Sequence, residues 1–510
     1  MIERLARFTL PLVALAGLAA CSKSPEELYA KAQADFAAQD YQAARLEVAS
    51  ALRDDPGNRA MLDLLIRAHL RLGDPDGAQG AIERFERAGG PARELAVYKA
   101  SVALMRGRAQ EALALLGDDR SAPGWVVRAE AKLALGDEEG AVEAFEQGLD
   151  AGGDVHLAEG YARYRLLSGD VDGAAAIYKR MQAMDAKAYE TMVLGADIFA
   201  AKGKPAEAAK AFEAVTAAFP QKLPPLLALA NQYDMLGKVD AAMEVIEKAQ
   251  KLAPGNGAVE DLRIQLLAEK GEWEKIRLAM QGQESRLEPG SGTQMKYAEA
   301  LLRLGKAEEA RLLFKRAVLA LPGNPYAQLM LGEAELEAGN AAQAWQTLEP
   351  LAMGTLADDE EIEAGMRAAR AAGAPEAKAL AARLDPAKRK AEVALVDEGQ
   401  AALMQQDWSK VRDVYAQLLT RGEDGEVLRR LAMASAALGD HDAAIGYADR
   451  ALGRARDNPE FLFMAGMVRL EAGRDLASAR RLIESAARAD PGNAEIARAL
   501  EKANAATSRG

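Results

Sequence analysis

Apolar residues recur along the chain at three- and four-residue spacings, in segments of about a dozen residues that come in pairs. Three stretches show the phrasing: LALGDEEGAVEAF at Leu133–Phe145, LLSGDVDGAAAIY at Leu166–Tyr178 and LRLGKAEEARLLF at Leu302–Phe314. Each holds a glycine, an alanine five residues on and a bulky apolar residue four beyond that. The same junction falls at Gln39, Gly73, Gly107, Gly136, Gly169, Gly203 and Gly237, then at Gly271, Gly305, Gly339, Gly373, Gln406, Gly439 and Gly473. From Gly169 to Gly373 every step is 34 residues; the others are 33 or 34, apart from the 29-residue step into Gly136.

The spacing predicts two helices per period. Glycine at the junction can turn left-handed and end the first helix. Seven residues before the junction stands a small residue, as at Ala32, Ala162, Ala298 or Gly466, and five after it stands alanine in ten of fourteen repeats. These let the paired helices approach closely, while Phe145, Phe212, Phe314 or Tyr415 fills the space beyond. One such pair cannot bury its own apolar face, so it must stack on copies of itself. Proline closes several repeats seventeen residues after the junction, at Pro56, Pro220, Pro254 and Pro322, within turns such as DDPGN, LAPGN and ALPGN.

With that proline the repeats resemble the tetratricopeptide (TPR) family, whose period is 34 residues. The resemblance runs from about Pro25 to Asn493. It implies an all-α fold, a right-handed α-solenoid of about fourteen helix-turn-helix repeats, with a C-terminal capping helix over 494–510. Repeats one to ten occupy 25–351 and twelve to fourteen occupy 392–493. The eleventh has Lys378 for its alanine and Pro375 early in its second helix, so 352–391 reads as a degenerate repeat or hinge. QGQESRLEPGSG at Gln281–Gly292 is a second irregular connection, and RDLASA gives the last repeat one extra residue.

The first residues follow another pattern. Arg4 and Arg7 precede the uncharged run FTLPLVALAGLAA, Phe8–Ala20. As a helix it would reach about 20 Å, short of the roughly 30 Å of a bilayer core, so it reads as a signal peptide over 1–20. Leu18-Ala19-Ala20-Cys21 resembles the lipobox of bacterial lipoproteins. The resemblance implies cleavage before Cys21, acylation of the only thiol in the chain and a lipidated N-terminus over 21–24. Ser22, where an aspartate would mark retention at the inner membrane, implies an outer-membrane anchor facing the periplasm.

Composition narrows the chemistry. The net charge of −13, spread among interspersed acids and bases, disfavours nucleic acid as partner. His69, His156 and His441 lie in different repeats, and there is no HExxH, P-loop or G-x-S-x-G. No cofactor or metal is expected, and no stretch outside the repeats is long enough for a catalytic domain. The expected role is protein binding rather than catalysis.

In the TPR family the first helix of each repeat lines a groove, which implies that residues ten and six before the junction face it. In the middle of the chain these are Val193 and Asp197, Leu227 and Asn231, Asp261 and Gln265, Met295 and Glu299, and Leu329 and Glu333. The mixture suits a basic or amphipathic segment of a partner protein. A carboxylate-clamping version of the groove would need lysine where Leu227 stands and further lysine and arginine where Asp261 and Gln265 stand; only Asn231 matches. The N-terminal layout CSKSPEELYAKAQADF is similar to long TPR lipoproteins associated with exopolysaccharide and PEP-CTERM sorting systems. An outer-membrane biogenesis or pilus-type assembly lipoprotein is the alternative, and a glycan-processing enzyme or polysaccharide-binding solenoid the alternative of another class.

Overall fold

The computed structural model describes residues 24–507. The expected signal peptide, with Leu18, Ala19, Ala20 and the lipidation site Cys21, lies outside the described residues. Among the described residues there are twenty-nine helices and no strand, which makes fourteen pairs and one last helix. The protein is an all-helical TPR-type solenoid.

Every one of the fourteen junction residues has a positive φ. Glycine takes that conformation without strain, but Gln39 at +60° and Gln406 at +54° do so as L-residues. Aspartate often follows the junction and caps the second helix: Asp40, Asp74, Asp137, Asp170 and Asp440 each accept a hydrogen bond from the backbone N–H three residues on. The proline turns work at both ends. They stop one helix, and their asparagines Asn58, Asn256 and Asn324 cap the next.

The ten alanines five after the junction are all fully buried, Ala208, Ala242, Ala310 and Ala444 among them. The alanines seven before the junction, such as Ala162 and Ala298, are equally buried, and glycines replace them where space is shortest. A methyl group on Gly466 would lie 3.0 Å from the Ala479 carbonyl and 2.5 Å from Ile483 Cγ1. The bulky residue nine after the junction is buried at Phe145, Phe212, Ile246, Phe314 and Tyr415. Tyr178 is only half-buried, because Ile177 and Met181 fill that space and its hydroxyl instead meets Gln182. In the last repeat the extra residue is absorbed at Asp475, which takes φ +43° and caps the helix, so Ala479 rather than Ser478 fills the alanine position.

By compactness the described residues form two blocks, which divide between Gly237 and Lys238. Each has a core of successive small clusters that join neighbouring repeats, as expected for a stack without one central core. A row of ion pairs also repeats with the period. The residue three after one junction meets a base beside the next: Asp76 with Arg106 at 2.6 Å, Asp172 with Lys202 at 3.2 Å and Asp240 with Lys270 at 2.7 Å. These pairs are exposed and contribute little each.

The segment 352–391 lies inside the second block, as helices Asp359–Ala372 and Ala377–Arg383 and the start of the long helix Pro386–Met404. Leu380 is its buried anchor, one turn's fraction beyond Lys378. Arginines tie it down. Arg383 donates to the Ala352 carbonyl at 2.8 Å and pairs with Glu392 at 2.7 Å. The buried Arg389 donates to the Ala357 carbonyl at 2.8 Å and pairs with Glu392 and Asp359. The helix Ala494–Thr507 caps the array, packing Ile496, Ala499 and Ala503 near Ile483 and Ala486.

Candidate functional site: the inner face of the first block

Four side chains of the helix Val155–Leu167 share one face: His156, Glu159, Arg163 and Leu167, at thirteen, ten, six and two residues before Gly169. That face looks inward, as contacts across the block show. His156 Nδ1 lies 3.4 Å from Arg71 Nη1, 85 residues earlier in the chain. One repeat later Glu190, thirteen before Gly203, accepts a hydrogen bond from Gln39 Nε2 at 2.5 Å across 151 residues. The first block therefore curls until the turn of its first repeat meets its sixth.

The inner face is accessible yet crowded, and its carboxylates respond in two ways. Glu159 is held below the usual range: burial pushes it up, but hydrogen bonds from His156 and Arg163 outweigh that, the Arg163 bond measuring 2.6 Å. Glu130 and Asp197 sit six residues before their junctions, in the same phase as Arg163. Crowding by the surrounding helices raises both, although Glu130 stays exposed to solvent and Asp197 half-buried; His156 and Arg71 oppose the rise at Glu130, and Arg163 opposes it at Asp197. No hydrogen bond or close ion pair reaches either carboxylate among the described residues. Nearby, burial and the charges of Glu159, Glu190 and Asp197 push Tyr189 up to about 12, and burial lowers Lys222, whose ammonium lies 5.6 Å from the Tyr189 ring centre.

Apolar groups alternate with these charges. Val193 and Leu227 are half-buried on the same face. Leu167 is 84% exposed and Met235 67% exposed, each two residues before its junction.

The ten residues expected to line a groove divide between the blocks. Val193, Asp197, Leu227 and Asn231 belong to the first, where Asn231 is exposed. Asp261, Gln265, Met295, Glu299, Leu329 and Glu333 belong to the second. Their environments differ sharply. Asp261 accepts a bond from the Thr293 hydroxyl, Gln265 is exposed and Met295 is half-buried. Leu329 is part of a core cluster. Glu299 is only 8% exposed and holds the Tyr326 hydroxyl at 2.9 Å and Lys296 at 3.1 Å. Glu333 is paired with Arg367. The acids of the second block thus have partners of their own, whereas Glu130 and Asp197 of the first do not.

Glu130, Glu159 and Arg163 were within reach of the sequence, since the ten-and-six spacing applied to the fourth and fifth repeats selects them. Arg71, His156, Glu190 and Lys222 were not, because their meeting depends on how far the block curls. Among the described residues no group of three or more His, Cys, Asp or Glu side chains is placed to hold a metal ion, and no helix is long and apolar enough to cross a membrane.

Helical pairs stacked repeat upon repeat define an α-solenoid. Tetratricopeptide-repeat family models match residues 64–124 and 396–459, and 199–266 and 301–369, about half of the chain between them. The chain belongs to the tetratricopeptide-repeat family, whose members typically bind proteins rather than catalyse. Among solved structures it is similar to the APC/C hetero-tetramer Cut9–Hcn1, at 17% identity and a TM-score of 0.37, with 94% of this chain and 96% of that one covered. It is also similar to the TPR domain of P58(IPK), at 13% identity and a TM-score of 0.23, with 95% and 98% covered. No curated protein matches.

Proposed function

We propose that this chain is a lipid-anchored periplasmic scaffold that binds partner proteins in an export or assembly process of the bacterial envelope. One observation carries the binding role: nearly every described residue belongs to a helical repeat, and the inner face of the first block presents carboxylates without a hydrogen-bonded partner beside exposed apolar side chains. The anchor rests on the basic start, the short apolar run and Leu18-Ala19-Ala20-Cys21. Two or more acyl chains there would hold the protein at the outer membrane firmly. The similarity of its N-terminal layout to TPR lipoproteins of exopolysaccharide and PEP-CTERM systems points to that kind of pathway.

Fractionation of envelopes from cells carrying the parent or Cys21→Ser tests the anchor. The parent should sediment with outer membrane, and the variant should stay as uncut precursor or leave the membrane. A variant that fractionates like the parent would remove the lipid from the account. Chemical crosslinking of the same envelopes tests the scaffold: adducts with discrete envelope proteins support it, and their absence opposes it.

A further inference from the structure

Two of the fourteen junction residues are not glycine, and the glutamines that replace it behave differently. Both are left-handed, at φ +60° for Gln39 and +54° for Gln406, a conformation that strains an L-residue. The Gln406 side chain is exposed and makes no hydrogen bond among the described residues. Gln39 instead reaches across the first block, where its Nε2 donates to Glu190 Oε1 at 2.5 Å, 151 residues away. Glycine at this place would relax the backbone and lose the bond, and glutamate would set two carboxylates together.

The residues around Gln39 are engaged in the same way. Tyr41 is fixed edge-on against Phe36, with ring centres 5.1 Å apart, and the Arg71 guanidinium lies 6.0 Å from the Tyr41 ring centre. Arg71 links this turn to His156, whose Nδ1 is 3.4 Å from Arg71 Nη1. Lys222, one repeat beyond Glu190, lies within the electrostatic reach of both Asp40 and Glu190, so one ammonium serves carboxylates on the two sides. The contacts across this seam are polar, and they bridge repeats one and two to repeats five, six and seven. The apolar clusters of this part of the block, by contrast, join neighbouring repeats. A seam of that kind opens without disturbing the cores on either side of it.

We propose that the turn Gln39-Asp40-Tyr41 is a clasp, which docks beside Glu190 and His156 to hold the first block curled and releases to let it uncurl with every repeat intact. The Gln39–Glu190 bond is the catch. It is short, charge-assisted and partly shielded from water, whereas the Arg71–His156 contact is longer and exposed. The left-handed strain at Gln39 is the cost of placing a donor there. Because each repeat contacts mainly its neighbours, releasing the catch changes how the repeats are rotated on one another and leaves the helices folded.

Pulsed electron–electron double resonance on the full-length chain tests this. Spin labels go to Gln42→Cys and Lys187→Cys, both exposed and each three residues from one half of the catch, with Cys21→Ser so that no other thiol reacts. The labelled chain should give one short, narrow distance. Gln39→Gly and Glu190→Ala should each enlarge a longer, broader component about tenfold or more, the scale of losing a hydrogen bond to a charged group. Gln406→Gly relieves the same backbone strain outside the clasp and should leave the distance unchanged. Circular dichroism should show full helix content in Gln39→Gly, since glycine occupies this place in twelve repeats. Unchanged distances in both clasp variants, an equal change in Gln406→Gly, a broad distribution before any clasp substitution, or opening that comes only with lost helix would each overturn the clasp.

Discussion

Replacing Gly305 with alanine should destabilise the ninth repeat through the backbone alone. Gly305 has φ +74°, and a methyl group built there meets nothing within 4 Å. Steric overlap therefore contributes nothing, and the cost is that of holding an L-residue left-handed, about 1–2 kcal/mol. Alanine also narrows the unfolded ensemble, which offsets about 0.4–1 kcal/mol of it. The net loss of about 1 kcal/mol corresponds to roughly fivefold more frequent local opening. Hydrogen exchange of the helices Gly292–Arg303 and Ala307–Ala320 reads that change directly, since stability in a stack is largely a sum of local terms. Gln406→Gly is the reciprocal change at φ +54° and should slightly increase protection of the twelfth repeat. Gly446→Ala is the control: it lies inside the helix His441–Arg454 with open space around it, and should stabilise by about 0.5–1 kcal/mol. Unchanged exchange in Gly305→Ala, or lost protection in Gln406→Gly, would refute the left-handed junction as the element that closes each repeat.

Gly466→Ala should cost about 1–3 kcal/mol in urea unfolding, because its methyl group meets the stiff, β-branched Ile483 side chain and, beside it, backbone atoms of the facing helix. Asp197→Asn should raise the thermal midpoint at pH 7. The half-buried carboxyl is raised above its ordinary 3.8, so its stabilising protonated form is complete below that value and is lost as pH rises through the folded pKa; the advantage of asparagine should vanish in acid, and an advantage independent of pH would contradict burial as the cause. Arg389→Ala strands the Ala357 carbonyl and leaves Glu392 with Arg383 alone, and should cost about 1–3 kcal/mol locally. Limited proteolysis should then cut first within 352–392, and cuts distributed as in the parent would show that the arginine does not hold this segment.

The helices were legible because they repeat. Fourteen copies of a junction, an alanine and a bulky residue leave little freedom in assigning helix pairs, and Ala208, Ala310 and Ala444 are buried where that pattern puts them. Local chemistry was partly hidden in plain view: Asn58, Asn256 and Asn324 read as turn residues, and only the coordinates show each capping the following helix. The inner face was harder. Spacing says which residues share a phase but not which of them are already paired, so Glu299 and Glu333 looked equivalent to Asp197 until Lys296, Tyr326 and Arg367 were seen beside them. The approach of Gln39 to Glu190 depends on small rotations summed over five repeats, which no local pattern encodes.

The central claim is that a partner protein occupies the inner face of the first block, and site-specific photocrosslinking in intact cells tests it most directly. A photoreactive residue at Leu167, on the inner face, should give a discrete adduct with an envelope protein. The same residue at Lys210, exposed on a second helix, should give little. Equal adducts from Leu167 and Lys210, or none from Leu167 while Lys210 reacts, would contradict the account.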